Sequence, residues 1–246
     1  MDFIEKYEKW LNYSHLPEEL REELESIAGK TDEIEERFFK DLEFGTGGLR
    51  GIIGAGTNRM NIYTVRKATL GLANYLKKVS QDNSVVIAYD SRHKSREFAL
   101  EAALVLAKNK IKAYVFQKIT PTPVLSFAIR YLEATAGIVI TASHNPKEYN
   151  GYKVYNCHGG QITDKMALAI TKEINQVEDE LKVNVLAQKE AEEKDLLVWL
   201  DEEVLTAYLA KTKGLVMRPD IIEGNSFDLQ IVYTPLHGTG YIPVSR

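Results

Sequence analysis

Cysteine is almost missing from this sequence, with Cys157 alone among 246 residues. One thiol closes no internal disulfide and founds no cysteine-based metal site. An excess of either charge is missing too. Lys and Arg number 31 against 35 Asp and Glu, a net charge of −4 with no strongly basic stretch. That composition lacks the electrostatic footprint of a nucleic-acid or anionic-membrane binder. No apolar run approaches the ~18 residues a membrane span needs. Asp2, Glu5 and Glu8 interrupt anything resembling a signal peptide. No repeat, heptad run or low-complexity tract stands out. These absences lead to the expectation of a cytoplasmic protein with a small-molecule partner, no nucleic acid and no membrane.

What is present is ordinary for a globular protein, with 44% hydrophobic and 27% charged residues. Residues 1–40 are charged and helical in pattern, with Phe3, Tyr7 and Trp10 on one face, Pro17 at a helix start and Thr31 as a cap before Ile34, Phe38 and Phe39. This extension is expected to pack against the domain that begins at Asp41. From Asp41 strands alternate with helices. Val65, Ala68, Leu72, Leu76 and Val79 form a helical stripe, and Val85–Tyr89 reads as a buried strand. Ser95 caps a helix to about Lys108 that is apolar nearly all round, Ala113–Phe116 is a strand, and Thr122-Pro123 opens another helix. Gly137–Ile140 and Gly151–Tyr155 are strands, and Met166, Ile170, Ile174 and Val177 mark a further helix. Residues 178–195 read as a solvated, partly irregular segment between domains. A helix over 200–213 and a strand over 229–233 complete the pattern. The expected fold class is α/β, a layered mixed sheet with helices on both faces, followed by the start of a second similar domain.

The chemistry gathers around Thr141-Ala142-Ser143-His144-Asn145-Pro146. This stretch follows a buried strand, and its Asn-Pro pair forces a turn, so Ser143 stands on a loop at a strand end. Ten residues on, Lys153 returns in a second strand. A serine on a loop with a lysine brought back beside it is a candidate phosphate carrier and proton acceptor. Taken alone, Ser-x-Asn-Pro is equally an ordinary Ser/Asn turn. A Ser–His hydrolase fits poorly. Neighbours in an extended segment point to opposite sides, which puts His144 out of reach as a base for Ser143, and the glycines of a nucleophile elbow are missing.

Thr141–Pro146 with Asn150-Gly151-Tyr152-Lys153 resembles the active-site serine loop of the α-D-phosphohexomutases, the phosphoglucomutase and phosphomannomutase family. Phe44-Gly45-Thr46-Gly47-Gly48-Leu49-Arg50-Gly51 is similar to that family's N-terminal Gly-Thr-x-Gly-Leu-Arg-Gly segment. Thr234-Pro235-Leu236-His237-Gly238-Thr239-Gly240 resembles the Pro-x-His-Gly stretch that opens its second domain. Three ordered matches from residue 44 to 240 are far more specific than one. Within the family, the N-terminal extension and residues 44–67 look closer to the longer glucose-type branch.

The resemblance implies an intramolecular phosphotransferase that interconverts glucose 1-phosphate and glucose 6-phosphate through a phosphoserine and a bisphosphate. Ser143, Lys153, His144 and Arg50 are the expected catalytic residues. Ser143 would carry the phosphate, and Lys153 would act as general base and acid. His144 and Arg50 would contact phosphate or substrate. Thr46, Gly47, Arg92 and Asn145 are the expected substrate- or phosphate-binding residues, with Arg92 steadying the serine loop or its phosphate. The family implies Mg²⁺ and glucose 1,6-bisphosphate as activator. Ser143, through its phosphate, is the only metal contact expected here, because the family's Asp-Gly-Asp-x-Asp-Arg loop does not occur in the sequence. The expected organisation is a helical extension over 1–40, the serine domain over 41–199 and the beginning of a second domain over 200–246, an incomplete N-terminal part of a four-domain enzyme. Alternatives are a mutase for mannose or pentose phosphates, or a non-catalytic sugar-phosphate-binding fragment.

Overall fold

Val85-Val86-Ile87-Ala88-Tyr89 offers apolar side chains to both sides of its pleat, and the strand β2 (Ser84–Tyr89) is accordingly buried on both faces. The computed structural model describes residues 2–221 and 230–246. Among these, β2 shares one sheet with β1 (Leu49–Ile52), β3 (Lys112–Phe116), β4 (Ala136–Ile140), β5 (Tyr149–Asn156) and β6 (Leu197–Leu200), in the order β1-β5-β4-β2-β3-β6. The pairs β4–β2, β2–β3 and β3–β6 are parallel, and β4–β5 and β5–β1 are antiparallel. The sheet is mixed, as the sequence pattern predicts.

Strand alternation sorts the core into two layers. Val85, Ile87, Ile138, Ile140, Tyr152 and Val154 belong to the larger core with the buried faces of α4 (Ile62–Val79), α5 (Ser95–Lys108) and α7 (Asp164–Asn175). Val86, Ala88 and Val139 face the other way, toward α6 (Thr122–Tyr131) and α9 (Glu202–Lys213). Gly137 lets α6 approach closely, since a Cβ there would lie 2.3 Å from the Ile129 side chain. No described helix is long and apolar enough to cross a membrane.

The N-terminal helices α1 (Phe3–Leu11), α2 (Glu18–Ser26) and α3 (Thr31–Phe38) join the larger core. Trp10 is fully buried between Phe38 and Tyr63, at ring separations of 5.8 and 5.3 Å, and donates from Nε1 to Glu180 Oε1 at 2.8 Å. Glu23 of α2 accepts the Ala55 amide and pairs with Arg37, whose carbonyl accepts the Asn58 amide. The extension thereby holds the loop that leads into α4.

Several local expectations differ. Ser95 is the first residue of α5 and not its cap. Lys94 stands in the cap position at φ 62, and the Ser95 hydroxyl donates instead to Asp90 at 2.7 Å. Thr31 and Thr122 are likewise the first residues of their helices, behind Lys30 and Pro121. Val79 and Phe39 are more than half exposed, because each lies at the end of its helix, past the packed stripe.

Residues 178–195 are no solvated linker. Glu180, Leu181, Val183, Leu186 and Ala191 are buried, the Leu186 amide donates to Leu104 O at 3.1 Å, and a helix α8 (Gln188–Glu193) leads into β6. Isolated apolar residues without a regular period still pack when each drops into its own gap. The helix expected from 200 begins at Glu202, because Leu200 ends β6. Of the strand expected at 229–233, Leu229 lies outside the described residues. Residues 230–233 are in no strand, with Ile231 and Val232 exposed, since one segment forms a ladder only beside a neighbour.

Candidate functional site

β4 ends at Ile140, and the chain turns at once. The Thr141 amide still bonds Gly151 O of β5 at 3.0 Å, and the Thr141 hydroxyl accepts the Ser143 amide at 2.9 Å. Ser143 is held in the left-handed region at φ 58, and the Asn145 amide closes the turn on Ala142 O at 3.1 Å. A non-glycine residue there costs about 1–2 kcal/mol and persists only where its surroundings enforce it. The turn exposes the Ser143 hydroxyl.

His144 corrects the alternation argument. Its Nδ1 lies 3.3 Å from Ser143 Oγ. Opposite-facing neighbours are a property of extended chain, and the left-handed residue brings the two side chains to one side. Hydrolase chemistry gains little from this, since the pair is solvent-exposed.

Arg92 enforces the turn. Its Nη1 donates to Pro146 O at 2.8 Å and Tyr149 O at 3.0 Å, and its Nη2 to Ser143 O at 2.8 Å and Asn145 O at 2.6 Å. Its Nε faces Asp90 Oδ2 at 3.5 Å. The loop, the 90–93 segment and His237–Thr239 enclose a cleft of about 750 Å³ lined by Ser143, His144, Asn145 and Arg92 among others. His237 reaches it because its carbonyl accepts the Ser91 hydroxyl at 2.9 Å. Asn145 Oδ1 is buried without a partner.

Arg50 and Lys153 do not line that cleft. Arg50 on β1 pairs with Gly151, and Lys153 lies two residues further along β5, opposite Val139. The two cations share one face of the sheet. Partial burial, and then the Arg50 charge, push the Lys153 ammonium below the ordinary lysine range. Replacing Arg50 with Gln removes the second cause only, so the Lys153 pKa is expected to move part of the way back up. The pH dependence of Lys153 acylation, read by peptide mass spectrometry, tests this, and an unmoved midpoint refutes the pairing.

Thr46 and Gly47 form the tip of the turn before Arg50, where Gly45 and Gly48 exchange backbone bonds and Gln161 Nε2 donates to Thr46 O at 2.6 Å. Gly48 has φ 78, and a Cβ there would lie 1.9 Å from Tyr152 O. Gly48→Ala is therefore expected to cost about 3 kcal/mol by combining left-handed strain with a backbone collision. A urea midpoint unchanged from wild type would contradict it.

The family described as phosphoglucomutase/phosphomannomutase, alpha/beta/alpha domain I, matches residues 41–181. The chain belongs to the phosphoglucomutase/phosphomannomutase family. A curated phosphoglucomutase of Staphylococcus haemolyticus is 43% identical over 210 residues, 85% of this chain and 37% of that protein. One of Staphylococcus aureus is 40% identical over 214 residues, 86% of this chain and 37% of its own length. The chain thus spans little more than a third of the curated relatives it matches. Among solved structures, a putative phosphomannomutase from Thermus thermophilus superposes with TM-score 0.60 at 29% identity, covering 71% of this chain and 36% of that one. The Paramecium phosphoglucomutase parafusin, in its open form, shares the fold with TM-score 0.65 at 17% identity, over 84% of this chain and 41% of its own.

Sequence reasoning singled out the ends of this candidate site and missed its support. Asn150 is completely buried; its Nδ2 donates to His93 O and to Ser95 Oγ, both at 2.9 Å, and its Oδ1 accepts the Gly151 amide at 2.8 Å. Asp90 accepts from both Ser95 and the Arg92 amide. The Asn-Gly and Asp-x-Arg spacings were visible, but their convergence on Ser95 was not.

Mg²⁺ takes about six oxygen ligands. Among the described residues no three His, Cys, Asp or Glu side chains gather into a metal cluster. Asp90, which lines the cleft, is already engaged by Ser95 and Arg92. These residues do not fit Mg²⁺ on their own.

Proposed function

We propose that Ser143 is the phosphoryl carrier of a phosphoglucomutase-type enzyme that interconverts glucose 1-phosphate and glucose 6-phosphate through a bisphosphate. One observation carries this reading. Within the family-matched region, Ser143 is exposed into an open polar cleft on a backbone held left-handed by four arginine hydrogen bonds. An ordinary turn has no use for that much enforcement. Glucose is preferred over mannose because the curated relatives at 40–43% identity are named phosphoglucomutase.

In the proposed reaction phosphorylated Ser143 donates to the free hydroxyl of a hexose monophosphate: the phosphorus–oxygen bond to Ser143 Oγ breaks as one to the sugar oxygen forms, giving the bisphosphate. The reverse transfer from the sugar's other oxygen remakes the phosphoserine while that oxygen takes a proton back. Positioning and charge neutralisation dominate such a step. Lys153, with its depressed pKa, takes and returns the sugar proton, and the Arg50 guanidinium holds phosphate oxygens. Thr46, Gly47, His144 and Asn145 supply further donors to the phosphates. A hexose phosphate would span from the Ser143 cleft to this cationic pair. Mg²⁺, glucose 1,6-bisphosphate as activator and a cytoplasmic location belong to the same proposal. The metal-holding and sugar-choosing groups are assigned to the portion of the relatives that this chain does not align with.

The test is phosphosite mapping after exposure to glucose 1,6-bisphosphate and Mg²⁺, on protein expressed through its own stop codon. Phosphate on Ser143 is expected. A folded protein with Ser143 unmodified overturns the proposal. The 246-residue chain by itself is expected to show no Mg²⁺-dependent turnover, and measurable mutase activity from it would refute the assignment of the metal ligands.

A further inference from the structure

We infer that Arg92 is a positioning residue and not a phosphate ligand, and that a buried relay from Asn150 through Ser95 and Asp90 holds it so that it fixes the backbone of Ser143. The inference rests on the carrier role proposed for Ser143 and adds the device that shapes it.

A guanidinium has five N–H donors and no acceptor. In Arg92 the two terminal nitrogens serve four carbonyls of the loop, those of Ser143, Asn145, Pro146 and Tyr149, and the fifth donor faces Asp90. Nothing is left for a phosphate oxygen. A cation standing in the cleft wall thus spends its directional bonding on main chain.

The orientation of that fork is set from behind. Asp90 Oδ1 accepts the Arg92 amide at 3.0 Å and the Ser95 hydroxyl at 2.7 Å, leaving Oδ2 toward the guanidinium. Ser95, 1% exposed, in turn accepts from the Asn150 amide group, which is wholly buried and also grips His93 O. Asn150 is the second residue of β5, just after the loop, and His93 and Ser95 lie just before and at the start of α5. The relay ties the C-terminal flank of the serine loop and, through Arg92, the loop itself to one helix end. A hydrogen-bonded network whose inner members, Asn150 and Ser95, are buried favours a single geometry.

Two variants and two readouts test it. Arg92→Lys keeps the charge but offers one ammonium to four dispersed carbonyls. Asp90→Asn keeps the shape and removes the charge behind the guanidinium. In the ligand-free protein, amide hydrogen exchange at 143, 145 and 149 is expected to speed up roughly tenfold or more in Arg92→Lys, and by less in Asp90→Asn, with core strands unchanged. In the full enzyme, kcat for hexose phosphate is expected to fall about 100-fold in Arg92→Lys with KM within roughly threefold, as for a displaced reacting group. Unchanged exchange together with a KM raised tenfold or more would mark Arg92 as a phosphate ligand and overturn the inference. The exchange readout needs no phosphoryl transfer, so faster exchange in a protein that never phosphorylates Ser143 would uphold the clamp while the mutase reading fails.

Discussion

Ser143→Ala is expected to reduce mutase turnover of the complete enzyme by a factor on the order of 10⁴ or more, the scale on which removal of a covalent nucleophile acts. The variant keeps the Arg92 bonds, because these go to the Ser143 carbonyl and not to its hydroxyl. It also keeps the Thr141 bond, which is made to the Ser143 amide. Loop and cleft should therefore persist, and substrate affinity should change little while phosphoryl transfer stops.

A second substitution at the same position separates function from stability. Glycine adopts φ 58 without a Cβ penalty, so Ser143→Gly should be as stable as Ser143→Ala or better, by up to about 1 kcal/mol after its greater unfolded-state entropy is counted. Both variants should be equally inactive. Equilibrium urea unfolding beside a coupled mutase assay reads the two quantities. Residual turnover near the wild-type level in either variant would remove Ser143 from the mechanism, and a glycine variant markedly less stable than the alanine one would show that the turn is not strained.

Trp10→Ala is the largest stability effect expected. The indole is completely buried and packs edge-on against Phe38 and Tyr63. Truncating a buried Trp of this kind costs about 3–5 kcal/mol. The loss also strands Glu180, which is 7% exposed and receives the indole N–H; its nearest cation is Lys67 at 4.0 Å. Trp10→Phe keeps most of the ring contact and removes only the donor, so a loss of about 1–3 kcal/mol is expected from the unpaired carboxylate. The ordering of the two variants discriminates packing from hydrogen bonding. A loss below about 1 kcal/mol for Trp10→Ala would mean that the N-terminal helices are a detachable appendage. The expected loss means instead that they share a core with α4 and, through Glu23 and Arg37, support residues 54–58.

How much of this was legible beforehand depended on the range of the interaction. The strand runs at 85–89, 113–116 and 137–140 are dense in β-branched and aromatic side chains and appear within a residue or so of their expected limits. The near-continuous apolar content of α5 announced its burial correctly. β1 was harder, since four residues that include Arg50 and Gly51 are too few to carry a clear periodic signal; it exists because β5 offers an edge. In the 178–195 segment the scattered Val and Leu are neither strand-like nor helix-like in period, and contact with α5 gives them a place; the short apolar run of β6 takes its place as a strand by pairing with β3.

The sequence by itself supplied the candidate site residues and determined the layered α/β class. Gly45–Arg50, Asp90-Ser91-Arg92, the serine loop and Asn150–Lys153 each bear a local pattern, and local patterns survive in one dimension. Tertiary structure alone decided what those groups do to one another. It spent every donor of Arg92 on the serine loop and Asp90, turned His144 toward Ser143, and set Lys153 beside Arg50 and apart from the cleft. These outcomes depend on directions: a single left-handed residue reverses the side-chain alternation that spacing assumes, and a guanidinium has only five N–H groups to share among the neighbours that folding brings within reach.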